Sequence, residues 1–135
     1  MKILSEESAD FSLAPKKALG NFGEELSLQK YLREGYELVA KNFIVSGKKV
    51  KSEIDFIVKK NDELVFVEVK TRTLFSSGYG EEAVNFIKKR KLKIGVNFFK
   101  MKHPEFDEFF PRVDIAVVEI KNNIPRIEIF ENITL

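Results

Sequence analysis

The sequence predicts an α/β fold in which a mixed central sheet of about five strands is flanked by two long helices. Three observations carry that expectation. Helical and strand-forming runs follow one another in the order helix, three strands, helix, two strands. The three consecutive strands are joined by short turns at Ser46-Gly47 and Asn61-Asp62, which argues for an antiparallel meander. The second helix then lies between the third and fourth strands, a crossover that allows those two to be parallel neighbours.

Each element has its own justification. Residues 1–16 are polar, with Ser5-Glu6-Glu7-Ser8 and Pro15, and read as a mobile or irregular lead to a single domain spanning 1–135. From Lys17 to Glu34 the period turns helical: Leu19, Phe22 and Leu26 form one stripe, and Leu28, Tyr31 and Leu32 a second. Gly35 is placed to end that helix. Tyr36 to Val45 reads as the first strand. Residues 73–80 hold two glycines and two serines and read as a loop at the rim of whatever the preceding strand carries. The second helix is expected over Glu81–Met101, followed by an acidic connector around His103 and Pro104. Strands at Arg112–Ile120 and Arg126–Phe130, turning at Asn122-Asn123, complete the set.

Composition narrows the function classes. A chain of 135 residues can bury one core, and thirteen phenylalanines without tryptophan make it Phe-rich. No cysteine and a single histidine argue against disulfides and against zinc held by its usual ligands. No signal peptide or membrane-length apolar run is seen, so a cytoplasmic protein without a membrane partner is the expectation. A net charge of +2 announces no nucleic-acid binder, but the basic residues cluster. Lys48, Lys49 and Lys51 precede the second strand, and Lys88, Lys89, Arg90, Lys91 and Lys93 form a dense run in the second helix. Such clusters neutralise phosphates or simply solvate a surface.

The centre of the chain is Glu53–Arg72, EIDFIVKKNDELVFVEVKTR. A hairpin turning at Asn61-Asp62 sets Ile54 against Val69, Phe56 against Val67 and Val58 against Val65, giving one apolar face. The same register puts Asp55 opposite Glu68, and Glu53 opposite Lys70, on the other face. Like charges directly across a sheet cost up to about 1 kcal/mol. A divalent cation between the two carboxylates would offset that, and so would full solvation of the face. Glu24, between Leu28 and Tyr31 on the first helix, either reaches water or faces the same acids.

Asp55, Glu68 and Lys70 resemble the signature of the PD-(D/E)xK, restriction-endonuclease-like nucleases. The wider pattern is Gly20-Asn21-Phe22-Gly23-Glu24, Tyr31-Leu32, Gly35-Tyr36, Glu53-Ile54-Asp55, Phe66-Val67-Glu68-Val69-Lys70-Thr71-Arg72 and Arg112-Val113-Asp114. It resembles the YraN-type family of predicted nucleases within that superfamily. Ser52 departs from a glycine common there, and Ser27 from an alanine. The resemblance implies a restriction-endonuclease-like core and metal-dependent hydrolysis of phosphodiester bonds in DNA, whether single-stranded, duplex or branched. It implies that Asp55, Glu68 and the Val69 carbonyl hold Mg²⁺ or Mn²⁺, with Glu24 joining directly or through water. Lys70 would orient or deprotonate the attacking water or balance charge on phosphorus. Glu53 stays ambiguous between tuning Lys70 and a plain structural role. Lys48, Lys49, Lys51, Arg72, Lys88 and Lys91 are the basic residues for DNA. Arg112 and Asp114 are expected to pair with neighbouring charges, and not to catalyse. Two alternatives remain open: a Holliday-junction resolvase working as a homodimer, and a nucleic-acid-binding module that keeps the fold without turnover.

Overall fold

The computed structural model of the chain describes residues 15–47, 51–73 and 86–135. Its elements are α1 (Lys16–Arg33), β1 (Glu37–Ser46), β2 (Lys51–Lys60), β3 (Glu63–Thr73), α2 (Phe86–Lys102), a 3-10 turn (Pro104–Phe106), β4 (Phe110–Lys121) and β5 (Ile124–Phe130). The five strands form one sheet in the order β1-β2-β3-β4-β5. All neighbours are antiparallel except β3 and β4, which run parallel as the crossover requires. This is the mixed α/β sheet anticipated, consistent with a restriction-endonuclease-like core. Lys16, read as the end of the irregular lead, already opens α1. The rest of the expected lead (1–14), the residues expected to form a loop (74–80) and those expected to open the second helix (81–85) lie outside the described residues.

The turns use the residues that tolerate a left-handed backbone. Gly35 stops α1 at φ 95°, Asn61 turns the β2–β3 hairpin at φ 55°, and Asn122 and Asn123 turn β4 into β5. The two helices cover opposite faces of the sheet. On one face Leu28 and Tyr31 of α1 pack on Phe56, Val58, Val65, Val67 and Ala116, while Leu26 packs on Val118 and Ile120. On the other face Val96 and Phe99 of α2 pack on Ile54, Ile57, Leu64, Phe66 and Val113. The two stripes read from the first helix are thus both used. Among the described residues no helix is long and apolar enough to cross a membrane.

One expectation fails. Ile54 does not share a face with Phe56 and Val58; it belongs to the α2 side. Strand β1 makes the same switch. Lys41, opposite Phe56, reaches Glu25 of α1, whereas Phe43, opposite Ile54, stacks on Phe99 of α2 at 5.1 Å. Between those two pairs lie Asn42 and Asp55, and Asn42 has a left-handed backbone (φ 51°). A residue in that conformation rotates the chain after it, so residues two apart that should share a face end on opposite ones.

Candidate metal centre

Strands β2 and β3 pair from Lys60↔Glu63 up to Phe56↔Val67, in the register the apolar pattern predicts, and then stop. Beyond that point β2 stays with β1 as far as Lys51, and β3 stays with β4 as far as Thr73. The sheet therefore forks, and Asp55, Glu68, Lys70 and Glu53 all lie where it opens. The expected facings of Ile54 with Val69, Asp55 with Glu68 and Glu53 with Lys70 are not made, because the two strands have already parted. Neither do Glu53 and Lys70 form an ion pair with each other among the described residues.

Asp55 is not on a face at all. The kink at Asn42/Asp55 aims its carboxylate across the fork, where Oδ2 accepts the Val69 N–H at 2.7 Å. In a strand the N–H and C=O of one residue leave by the same edge, so the Val69 carbonyl is on that side as well. Glu68 is almost wholly buried and projects on the α2 side, and its Oε1 is met by the Lys88 ammonium at 2.7 Å. Glu24, on α1, is half-buried and close enough to feel the charges of Glu53 and Glu68.

The electrostatics record this crowding. Burial first, then the neighbouring Glu68 charge, pushes Asp55 up to about 8, against the pull of the Val69 N–H. Burial also holds Glu68 above the usual carboxylate range, although Lys88 and, more weakly, Lys70 pull it down. Glu24 is raised by its own burial and then by Glu53 and Glu68. Four acids thus gather around the fork, with Lys88, Lys70 and Lys41 acting against their mutual repulsion.

Two glycines set the helices this close. A Cβ on Gly23 would collide with the Thr71 hydroxyl, so α1 rests directly on β3 beside Glu24. A Cβ on Gly95 would come within 2.8 Å of Ser52 Oγ, and that buried hydroxyl donates to the Lys91 carbonyl at 2.6 Å. The serine that departs from the glycine pattern therefore ties β2 to α2, and the close approach is supplied from the helix side.

The oxygen-only donor set suits a hard divalent ion. Among the described residues no three His, Cys, Asp or Glu side chains form a ready-made ligand group. An ion here would take Asp55, Glu68 and the Val69 carbonyl and complete its shell with water, the habit of Mg²⁺.

Comparison with known proteins places the chain. The model of the "Uncharacterised protein family UPF0102" matches residues 23–118, a span that runs from Gly23 through the fork to Val118. The chain belongs to this family. It is the YraN-type family that the motif pattern resembles. A UPF0102 protein of Caldicellulosiruptor bescii is 35% identical over 118 residues, covering 86% of this chain and 96% of that one. One of Desulforapulum autotrophicum is 35% identical over 117 residues, with coverage of 87% and 93%. Another, of Caldanaerobacter subterraneus, is 38% identical over 104 residues, covering 76% and 80%.

In this UPF0102 chain the remaining candidates scatter. Lys51 and Lys91 are exposed, while Lys48 and Lys49 lie outside the described residues. Arg72 is mostly covered and pairs with Glu119 at 3.2 Å, so it does not stand clear for a phosphate. Arg112 and Asp114 pair with each other on β4, in keeping with the expectation of a neighbouring charge. Asp114 is fully buried and accepts hydrogen bonds from Arg112 (3.0 Å to each oxygen), Tyr31 Oη (2.6 Å) and the Asn132 N–H (3.0 Å). His103 lies against Phe99 with ring centroids 4.5 Å apart, and its Nδ1 is 3.2 Å from Glu105. Sequence reasoning missed Asn42 and the role of Tyr31. The only cue for Asn42 was a turn-forming residue inside a strand-forming run.

Proposed function

We propose that this UPF0102 protein is a metal-dependent endonuclease that hydrolyses phosphodiester bonds in DNA. The observation that carries the reading is the fork itself. Asp55 crosses it to the Val69 amide, and buried Glu68 stands beside it. Two carboxylates both held above the ordinary range, Asp55 by burial and the Glu68 charge and Glu68 chiefly by burial, are a poor structural device and a good cation site.

Bound Mg²⁺ or Mn²⁺ would supply a water acidic enough to attack phosphorus near neutral pH. The chain's own groups do the rest. The Val69 N–H fixes which Asp55 oxygen is free to face the ion. Lys70, two residues beyond Glu68 and half-buried, orients the water or meets charge developing on the phosphoryl oxygens. Glu24 approaches from α1 and holds a further water. Glu53 is exposed and acts through its charge. Exposed Lys51 and Lys91 neutralise backbone phosphates, a salt-sensitive contribution to affinity.

The test is incubation of purified protein with single-stranded, duplex, flap and four-way-junction DNA, with and without Mg²⁺ or Mn²⁺. Cleavage that needs the metal and disappears in Asp55→Ala and Lys70→Ala supports the proposal. Metal-independent binding that survives Asp55→Ala, with no cleavage of any form, contradicts it and favours a binding module. Preference for the four-way junction together with a dimer in solution makes the resolvase reading the better one.

A further inference from the structure

The Lys88–Glu68 ion pair stands in the middle of the proposed metal site, and its two halves are unequally held. The Glu68 side chain is only 10% exposed, whereas that of Lys88 is 35% exposed. The acid is fixed in the sheet, and the ammonium reaches it from the solvent edge of α2. Lysine carries its charge on a flexible four-carbon stem and can swing away without moving the helix. We infer that Lys88 is an internal counter-ion for Glu68, occupying the carboxylate until a divalent cation displaces it.

The inference rests on the metal reading of the fork and deepens it. A carboxylate this deeply buried is stabilised only when paired, and among the described residues the ammonium that pairs with it is that of Lys88. Lys88 also acts on Glu68 more strongly than Lys70 does, although Lys70 shares the strand. A divalent ion between Asp55 and Glu68 brings twice the charge to the same place. Two cations crowded on one carboxylate repel, and the singly charged, more exposed one gives way. Lys88 therefore neutralises Glu68 before the ion binds, at the expense of metal affinity, and its displacement reports metal arrival at the helix that lines the fork.

Amine labelling tests this directly. Reductive methylation of the intact protein is followed residue by residue by mass spectrometry, with and without saturating Mg²⁺. Lys88 is expected to be protected without the ion and to react about tenfold faster with it, the scale of losing one charged hydrogen bond. In Glu68→Gln it should react fast under both conditions. Calorimetry on Lys88→Met provides the second readout, with Mg²⁺ binding about tenfold tighter than in the wild type. Unchanged labelling of Lys88 at Mg²⁺ concentrations that saturate the wild type by calorimetry overturns this inference and leaves the metal site standing. Absence of saturable Mg²⁺ binding in both proteins overturns the inference and the metal reading together.

Discussion

Asn42 lies across from Asp55 at the point where β1 and β2 both exchange one face of the sheet for the other. The left-handed residue is on β1, and the consequence appears on β2, where Asp55 is turned out of the alternating pattern and into the fork. Replacing Asn42 by glycine should leave fold and cleavage nearly unchanged. Asn42→Val should cost about 1–2 kcal/mol, because a β-branched residue resists positive φ. Urea denaturation reads the stability and DNA cleavage reads the site. Equal behaviour of the valine and glycine variants would remove Asn42 from the account.

That kink is also where the sequence stops being legible. The run from Glu53 to Val58 alternates apolar and polar residues through Ile54, Asp55 and Phe56, so one regular strand is the reading it invites. Ile54 can change sides because α2 offers it a second core, with Val96 and Phe99 waiting there. Nothing local to the strand encodes that choice. The hairpin register up to Phe56↔Val67 was readable because a slip would have buried charge, and the crossover was readable from element order. A neighbouring charge was the expectation for Arg112 and for Asp114, but the further partner Tyr31 is remote in sequence and joins only when α1 docks.

The pH dependence of the metal-free protein follows from the raised carboxylates. Asp55 titrates near 8 when folded, against an ordinary value near 3.8. The folded state therefore prefers the protonated acid. That preference contributes stability fully below the ordinary value and is lost as pH rises through the folded one. Without divalent ions the protein should become less stable between about pH 4 and pH 8. Asp55→Asn should flatten that slope and be the more stable protein at pH 8. Thermal melts across the range in chelator give the answer, and a wild type that gains stability over this window would contradict it.

Tyr31 anchors the far end of the helix that carries Glu24. Its hydroxyl, held well above the usual tyrosine range by burial and by Asp114, donates to a fully buried carboxylate at 2.6 Å. Tyr31→Phe keeps the ring packing on Phe56 and removes only that bond. The expected loss is about 1.5–3 kcal/mol, typical of a hydrogen bond to a charged group. A loss near zero in urea titration would mean that Arg112 and Asn132 satisfy Asp114 alone.

Gly23 and Thr71 set the distance between α1 and β3. Gly23→Ala should cost about 1–3 kcal/mol through overpacking against the Thr71 hydroxyl. Thr71→Ala in the same chain should recover most of that, because the obstructing atom is a side chain. A double-mutant cycle measures the coupling, and strictly additive effects would show that the helix is positioned elsewhere.

The proposed chemistry requires that Asp55, Glu68 and the Val69 carbonyl hold one cation at the fork of the sheet. Crystals of the protein soaked in MnCl₂ and measured for anomalous scattering test it most directly. A single strong peak is expected within bonding distance of both carboxylates, lost in Asp55→Ala. A fork without manganese, in crystals of protein that cuts DNA with manganese present, would contradict it.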